Sequence, residues 1–222
     1  PEVIFPADLV FKIPDNLSFA EGAMVEPLAV GMQGATKANI KPGQIGLVMG
    51  CGPIGIVTAL AALAGGCAKV FIADILSEKL KICENYPDLI PIDLKNENLQ
   101  EKVLKETNNW GVNCFFECSG AVEAYESIFS CCCPGATVVL IGNNATPVPM
   151  DWAILFAKGL DFKTVHRYSH QYENAIRLLS NGKINLKPLI SKTFDFDQSI
   201  KAFERAAEHR AEDIKLQILV NS

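Results

Sequence analysis

The sequence predicts a doubly wound α/β fold: a parallel sheet covered on both faces, with flanking segments of a second, incomplete β-rich domain. Three observations lead there. Short apolar runs alternate with helix-like segments roughly every dozen residues, the rhythm of β-α-β units. The runs are apolar throughout instead of alternating with polar residues, as strands buried on both faces are. Residues 1–29 and 166–222 break the rhythm with prolines and short extended pieces, and neither segment is large enough to build its own core.

The elements follow in order. Residues 9–13 read as extended, between Pro6 and Pro14, and a helix starts near Met24–Ala29. The turn signal Lys41-Pro42-Gly43 precedes an apolar strand over 44–50. An Ala-, Ile- and Leu-rich helix over 53–63, a strand over 69–73 and a helix over 77–85 with Ser77 as N-cap come next. A helix over 98–107, a strand over 112–118, a helix over 121–131 and a strand over 136–142 continue the alternation. A short helix over 151–157, a strand over 161–165 and a helix over 171–181 closed by Gly182 follow. The tail carries Pro188, strands over 190–194 and 215–220, and a helix over 199–208. The dinucleotide-type domain is therefore placed at 30–165, between 1–29 and 166–222 of the second domain.

Composition narrows the function. A chain of 222 residues that is 49% hydrophobic and 20% charged has the apolar content for a packed core, which excludes disorder as its main state. A net charge of −5 without long runs argues against a nucleic-acid partner. No apolar run approaches the roughly 18 residues of a membrane span. The opening Pro1-Glu2, with Asp8 soon after, is unlike a cleavable signal and reads as the start of a piece of a longer protein. The eight cysteines lack the spacing of a disulfide framework, which predicts buried thiols in a reducing, cytoplasmic setting. The run Cys131-Cys132-Cys133 is not expected to hold a metal, because successive side chains point in different directions.

Gly50-Cys51-Gly52-Pro53-Ile54-Gly55 fits G-x-G-x-x-G, ends a predicted strand and opens a predicted helix. Gly50 permits the tight turn, Gly52 lets backbone approach a pyrophosphate, and Gly55 lets helix and strand pack closely. The helix N-terminus faces the phosphates with free N–H groups. Asp74 ends the second strand, where a carboxylate accepts from a ribose diol and repels a 2′-phosphate, so NAD is expected over NADP. Lys79 is the nearest base. A nucleotide-binding methyltransferase is the competing reading of this turn.

Other residues have bland and functional readings side by side. Glu26 starts a helix beside Pro27, where it complements the helix dipole; buried there, it would require a metal, a base or solvent. Arg167 follows a strand, where its fork of donors suits vicinal oxygens or a carboxylate at a domain junction. His166 and His170 have a metal-binding spacing for a helix but straddle a predicted strand end, and His209 reads as surface. Cys118 ends a core strand.

Met24-Val25-Glu26-Pro27-Leu28-Ala29-Val30-Gly31, the Gly50–Gly55 turn, Glu117-Cys118-Ser119-Gly120 and Val165-His166-Arg167-Tyr168 occur in this order. Together they resemble a zinc-dependent medium-chain dehydrogenase/reductase of the sorbitol (polyol) dehydrogenase branch, over its C-terminal two thirds. The resemblance implies reversible oxidation of a polyol to a ketose, with NAD and zinc as cofactors and the main zinc ligands upstream of residue 1. It puts Glu26 close to the zinc, as a partner of its bound water or an alternating ligand. Arg167 and Tyr168 are implied to meet substrate hydroxyls, although His166 stands where the family has an aromatic residue. Ile141 and Gly142 are expected beside the nicotinamide. A homodimer or homotetramer joined through the sheet's edge strands is implied as well. An NAD(H)-binding module without catalysis, and another secondary-alcohol or threonine dehydrogenase, are the alternatives.

Overall fold

The computed structural model describes residues 3–143 and 146–220, so the opening Pro1-Glu2 lies outside the described residues. A 3₁₀ turn (Ala7–Leu9), a short helix α1 (Phe19–Gly22) and a long helix α2 (Val25–Ala38) lead into the sheet. The segment predicted extended at 9–13 forms no strand. Helix α1 begins with a reciprocal cap, Ser18 accepting from Glu21 N while the Glu21 carboxylate accepts from Ser18 N.

The chain then runs β1 (Ile45–Met49), α3 (Pro53–Ala64), β2 (Lys69–Asp74), α4 (Ser77–Leu80) and β3 (Leu89–Asp93). It continues through α5 (Leu99–Glu106), β4 (Val112–Glu117), α6 (Val122–Cys131) and β5 (Cys132–Leu140) to α7 (Trp152–Lys158) and β6 (Asp161–Thr164). Helix α8 (Tyr172–Ser180), β7 (Ile190–Asp195), α9 (Ser199–Ala207) and β8 (Lys215–Leu219) close it. Six parallel strands form one sheet in the order β3-β2-β1-β4-β5-β6, and β7 pairs with β8 in a separate parallel pair. The doubly wound expectation holds, with the direction of strand order reversing between β1 and β4.

Successive residues of the central strands feed opposite cores, as the two-residue period requires. Val48, Ile72, Phe116 and Val139 pack with α2 and α3, whereas Leu47, Phe71, Phe115 and Val138 pack with α5 and α6. Helices α2 and α3 approach closely at Gly31, where an added Cβ would lie 2.7 Å from the Thr58 nitrogen and the Val57 carbonyl. Helix α8 packs on α2, and Ala175, Leu179, Ile184 and Leu186 join the same apolar cluster.

Four element readings are corrected. Strand β3 has no counterpart in the sequence reading; it is an edge strand interrupted by Pro91, which hides the pattern. The helix predicted over 77–85 is one α turn followed by a 3₁₀ turn at Lys81–Asn85. Ser77 does not cap it: Leu76 occupies that position, and the Ser77 hydroxyl donates to Asp93 Oδ2 at 2.6 Å, tying α4 to β3. Strand β5 starts at Cys132 instead of Ala136, running directly on from α6 with Gly135 at φ +75°. All eight cysteines are free thiols, buried except for half-buried Cys118.

Candidate functional site

The predicted phosphate turn sits where the topology puts a ligand, at the carboxyl ends of β1 and β4 beside the reversal of strand order. Each glycine has a geometric reason. Gly50 adopts φ +97°, with Ser119 of the β4 turn 3.1 Å from any added Cβ. A Cβ on Gly55 would lie 1.8 Å from the Gly50 carbonyl oxygen, so helix α3 can sit on the turn only without one. Gly52 differs. Its backbone is extended, an added Cβ would meet nothing within 4 Å, and the residue faces an open cleft. Pro53 opens α3, and Gly52 supplies no side-chain cap, so the N–H groups of the first turn remain available to an anion.

The cleft encloses about 1030 Å³. Gly52, Asp74, Lys79, Leu99, Ser119 and Ser127 line different sides of it. Asp74 does more than the sequence discloses: Oδ2 accepts from Cys51 N at 2.7 Å and Oδ1 from Leu76 N at 2.9 Å. Each carboxylate oxygen keeps a second lone pair for a diol. These are the features a dinucleotide requires, so the residues present fit that cofactor.

Beneath the cleft wall lies Glu117, fully buried at the end of β4. Its Oε1 accepts from Ser119 N (2.7 Å), Ser119 Oγ (2.5 Å) and Gly120 N (2.9 Å). Among the described residues Oε2 has no hydrogen-bond partner. Gly142 is small because Oε2 occupies the space, 2.4 Å from where its Cβ would be. Its N–H donates to the Glu117 carbonyl at 2.8 Å. Ile141 turns toward α2, its Cδ1 2.8 Å from an added Cβ on Gly34. Neither Ile141 nor Gly142 lines the cleft.

Glu26 is exposed in the first turn of α2, so no burial penalty arises. Arg167 is exposed and forms no ion pair among the described residues. Tyr168 is half-buried; its hydroxyl lies 3.2 Å from that of Tyr172. Burial first, then the Tyr168 hydroxyl and the nearby Glu26 carboxylate, push the Tyr172 phenol above the ordinary tyrosine range. Tyr168 therefore has a direct neighbour in Tyr172, four residues further on, which the sequence reading missed. His166 and His170 are exposed on irregular chain, and no group of three His, Cys, Asp or Glu able to hold a metal exists among the described residues. Burial pushes the Cys118 thiol up to about 12, and contact with the Cys83 thiol, with burial, pushes Cys51 up too. Neither is an activated nucleophile.

A family model described as zinc-binding dehydrogenase matches residues 53–181. The chain belongs to the zinc-binding dehydrogenase family. A D-xylulose reductase of Morganella morganii is 53% identical over 207 residues, 93% of this chain and 61% of that protein. The sorbitol dehydrogenase of Bos taurus is 33% identical over 202 residues, covering 89% and 56%. Among solved structures, a dehydrogenase of Sinorhizobium meliloti 1021 bound to NADP shares the fold, with a TM-score of 0.87 at 23% identity. It covers 95% of this chain and 62% of its own. This member of the zinc-binding dehydrogenase family spans about three fifths of the relatives it matches. No helix among the described residues is long and apolar enough to cross a membrane.

Proposed function

We propose that this chain is the cofactor-binding part, and one wall of the catalytic site, of an NAD-linked dehydrogenase that oxidises a secondary hydroxyl of a polyol to a ketose. Residues 30–165 bind the dinucleotide, and 1–29 and 166–222 belong to the catalytic domain. The observation that carries the reading is the Gly50–Gly55 turn, open at Gly52, beside a cleft that Asp74 also lines. The substrate class rests on the names of the relatives.

The first turn of α3 binds the pyrophosphate through main-chain N–H groups. Asp74 accepts from the ribose hydroxyls, and its charge opposes a 2′-phosphate, which favours NAD. Lys79, half-buried in the cleft, offsets phosphate charge. Arg167 offers paired donors to vicinal hydroxyls, Tyr168 a single hydroxyl, and Glu26 a carboxylate acceptor on the substrate side. When bound, the nicotinamide would accept hydride from the carbinol carbon, and the hydroxyl proton would pass to solvent. The resemblance puts the zinc ligands upstream of residue 1. Strand β6, which pairs only with β5 among the described residues, is the candidate edge for a homodimer or homotetramer.

The test is NADH formation from xylitol and sorbitol by the full-length protein, with and without a zinc chelator. Chelator-sensitive NADH production is the expected result. NADH binding without turnover of either polyol would overturn the polyol reading in favour of a non-catalytic module or another alcohol.

A further inference from the structure

Tyr172 sits half-buried at the start of α8, in ring contact with Phe11 and Tyr168. Its neighbour Gln171 is buried, and its Nε2 donates to Gln33 Oε1 (3.1 Å) and Thr36 Oγ1 (3.3 Å), both on α2. The Ser169 N–H donates to the same Gln33 oxygen at 3.3 Å. These bonds pin the segment between β6 and α8 to the helix that carries Glu26. The Phe11 ring stacks on Tyr172 at 5.0 Å and 23°, and the Tyr168 ring meets it edge-on at 5.1 Å and 64°. Two aromatic contacts at these separations leave the ring little freedom.

The packing alone requires only a ring, and phenylalanine would supply it. The hydroxyl adds one thing, the 3.2 Å bond to Tyr168. Tyr168 lies on irregular chain, half-buried, and its ring meets Tyr172 edge-on; that contact places the ring, while the hydroxyl bond sets where its proton points. Two hydroxyls sharing one bond use one of their two protons, so the pair retains a donor for a third group. We infer that Tyr172 is a positioning residue, whose hydroxyl fixes the direction of the Tyr168 hydroxyl so that the pair presents a preset donor to a polyol hydroxyl. This rests on the reading of Tyr168 as a substrate contact. It adds the residue that makes that contact directional, and such preorganisation lowers the entropy lost when substrate binds.

The experiment is a double-mutant cycle in the full-length protein with Y168F, Y172F and both together. It reads kcat and KM for xylitol, NADH affinity by fluorescence, and the change in NADH fluorescence when xylitol is added. Y172F should raise the xylitol KM about five- to ten-fold, the size of one lost hydrogen bond, with NADH affinity and melting temperature retained. The double variant should fall no further than Y168F alone, because both changes remove the same donor. A wild-type xylitol KM in Y172F, with Y168F impaired, would overturn the positioning role and leave the polyol reading standing. Additive losses in the double variant would overturn it too, by showing two independent roles. A wild-type protein that binds NADH but shows neither turnover nor a fluorescence response to xylitol would remove the polyol reading, and the role of Tyr172 with it.

Discussion

Gly52→Val separates binding from folding at the phosphate turn. The Gly52 backbone is extended, at φ −85° and ψ −178°, which valine adopts freely, and an added Cβ meets nothing within 4 Å. The folding cost is a poorer helix cap, about 0.5–1 kcal/mol. It is partly offset by the reduced freedom of the unfolded chain, about 0.4–1 kcal/mol. For a chain of this size the melting temperature should move by no more than roughly 2–4 °C. Cofactor binding should suffer far more, because the branched side chain stands between the α3 N-terminus and the pyrophosphate. Loss of two hydrogen bonds to a charged group costs about 3–6 kcal/mol, or roughly 10²–10⁴-fold in Kd. Gly55→Ala is the control for the opposite case: its Cβ would lie 1.8 Å from the Gly50 carbonyl, so the turn itself must move. That variant should lose about 2–12 °C of melting temperature along with NADH affinity. Both would be made in the full-length protein and read by NADH fluorescence titration and differential scanning calorimetry. A folded Gly52→Val protein with wild-type NADH affinity would refute the phosphate-loop assignment.

Asp74→Ala should weaken NADH binding and narrow the preference over NADPH; because the carboxylate also holds Cys51 N, the melting temperature should fall as well, and an unchanged NADH/NADPH ratio in titration would count against the ribose role. Glu26→Ala should depress turnover more than NADH affinity and leave stability nearly unchanged, since the side chain is exposed; equal losses in steady-state kinetics and titration would return it to a dipole role. The Arg205–Asp213 pair, with bonds of 2.7 and 2.8 Å, holds the Asp213 carboxyl below its usual range chiefly through the Arg205 hydrogen bonds. Its stabilising effect should be present above about pH 4, the unfolded aspartate range, and be lost as pH falls through the lower folded value, so Asp213→Asn should flatten the acid limb of a melting-temperature profile. With its thiol pushed up to about 12 by burial, Cys118 should stay unlabelled when the native protein is treated with iodoacetamide at pH 8, and rapid alkylation seen by mass spectrometry would contradict its placement.

Much of the fold is legible in the sequence because the central strands are buried on both faces and read as unbroken apolar runs. Ile45–Met49, Lys69–Asp74 and Val112–Glu117 declare themselves in this way. Leu89–Asp93 does not: an edge strand needs only one ladder, tolerates Pro91, and carries a weaker pattern. The phosphate turn is legible because three glycines at fixed spacing have three separate steric reasons. The cluster around Tyr172 is not. Tyr172 acquires its position from Tyr168 nearby, from Phe11 more than 160 residues before it, and through Gln171 from α2, and no local pattern carries the two distant contacts.

Glu117 and Gly142 show a steric demand that the sequence does not disclose. Gly142 attracts notice by ending a strand at the cofactor edge, which predicts close approach of a ligand. In the fold its missing side chain makes room for the Glu117 carboxylate, 2.4 Å from where a Cβ would stand. That carboxylate holds the Ser119–Gly120 turn through three hydrogen bonds, and Ser119 in turn abuts Gly50. Gly142, Gly120 and Gly50 therefore form one mechanical unit at the ends of β5, β4 and β1, with a buried acid as its hub. A buried carboxylate, here with no partner for one oxygen among the described residues, costs more than an apolar residue of its volume. The compensation is a turn fixed against the phosphate loop, so the precision of the cleft rests on a residue that never reaches its surface.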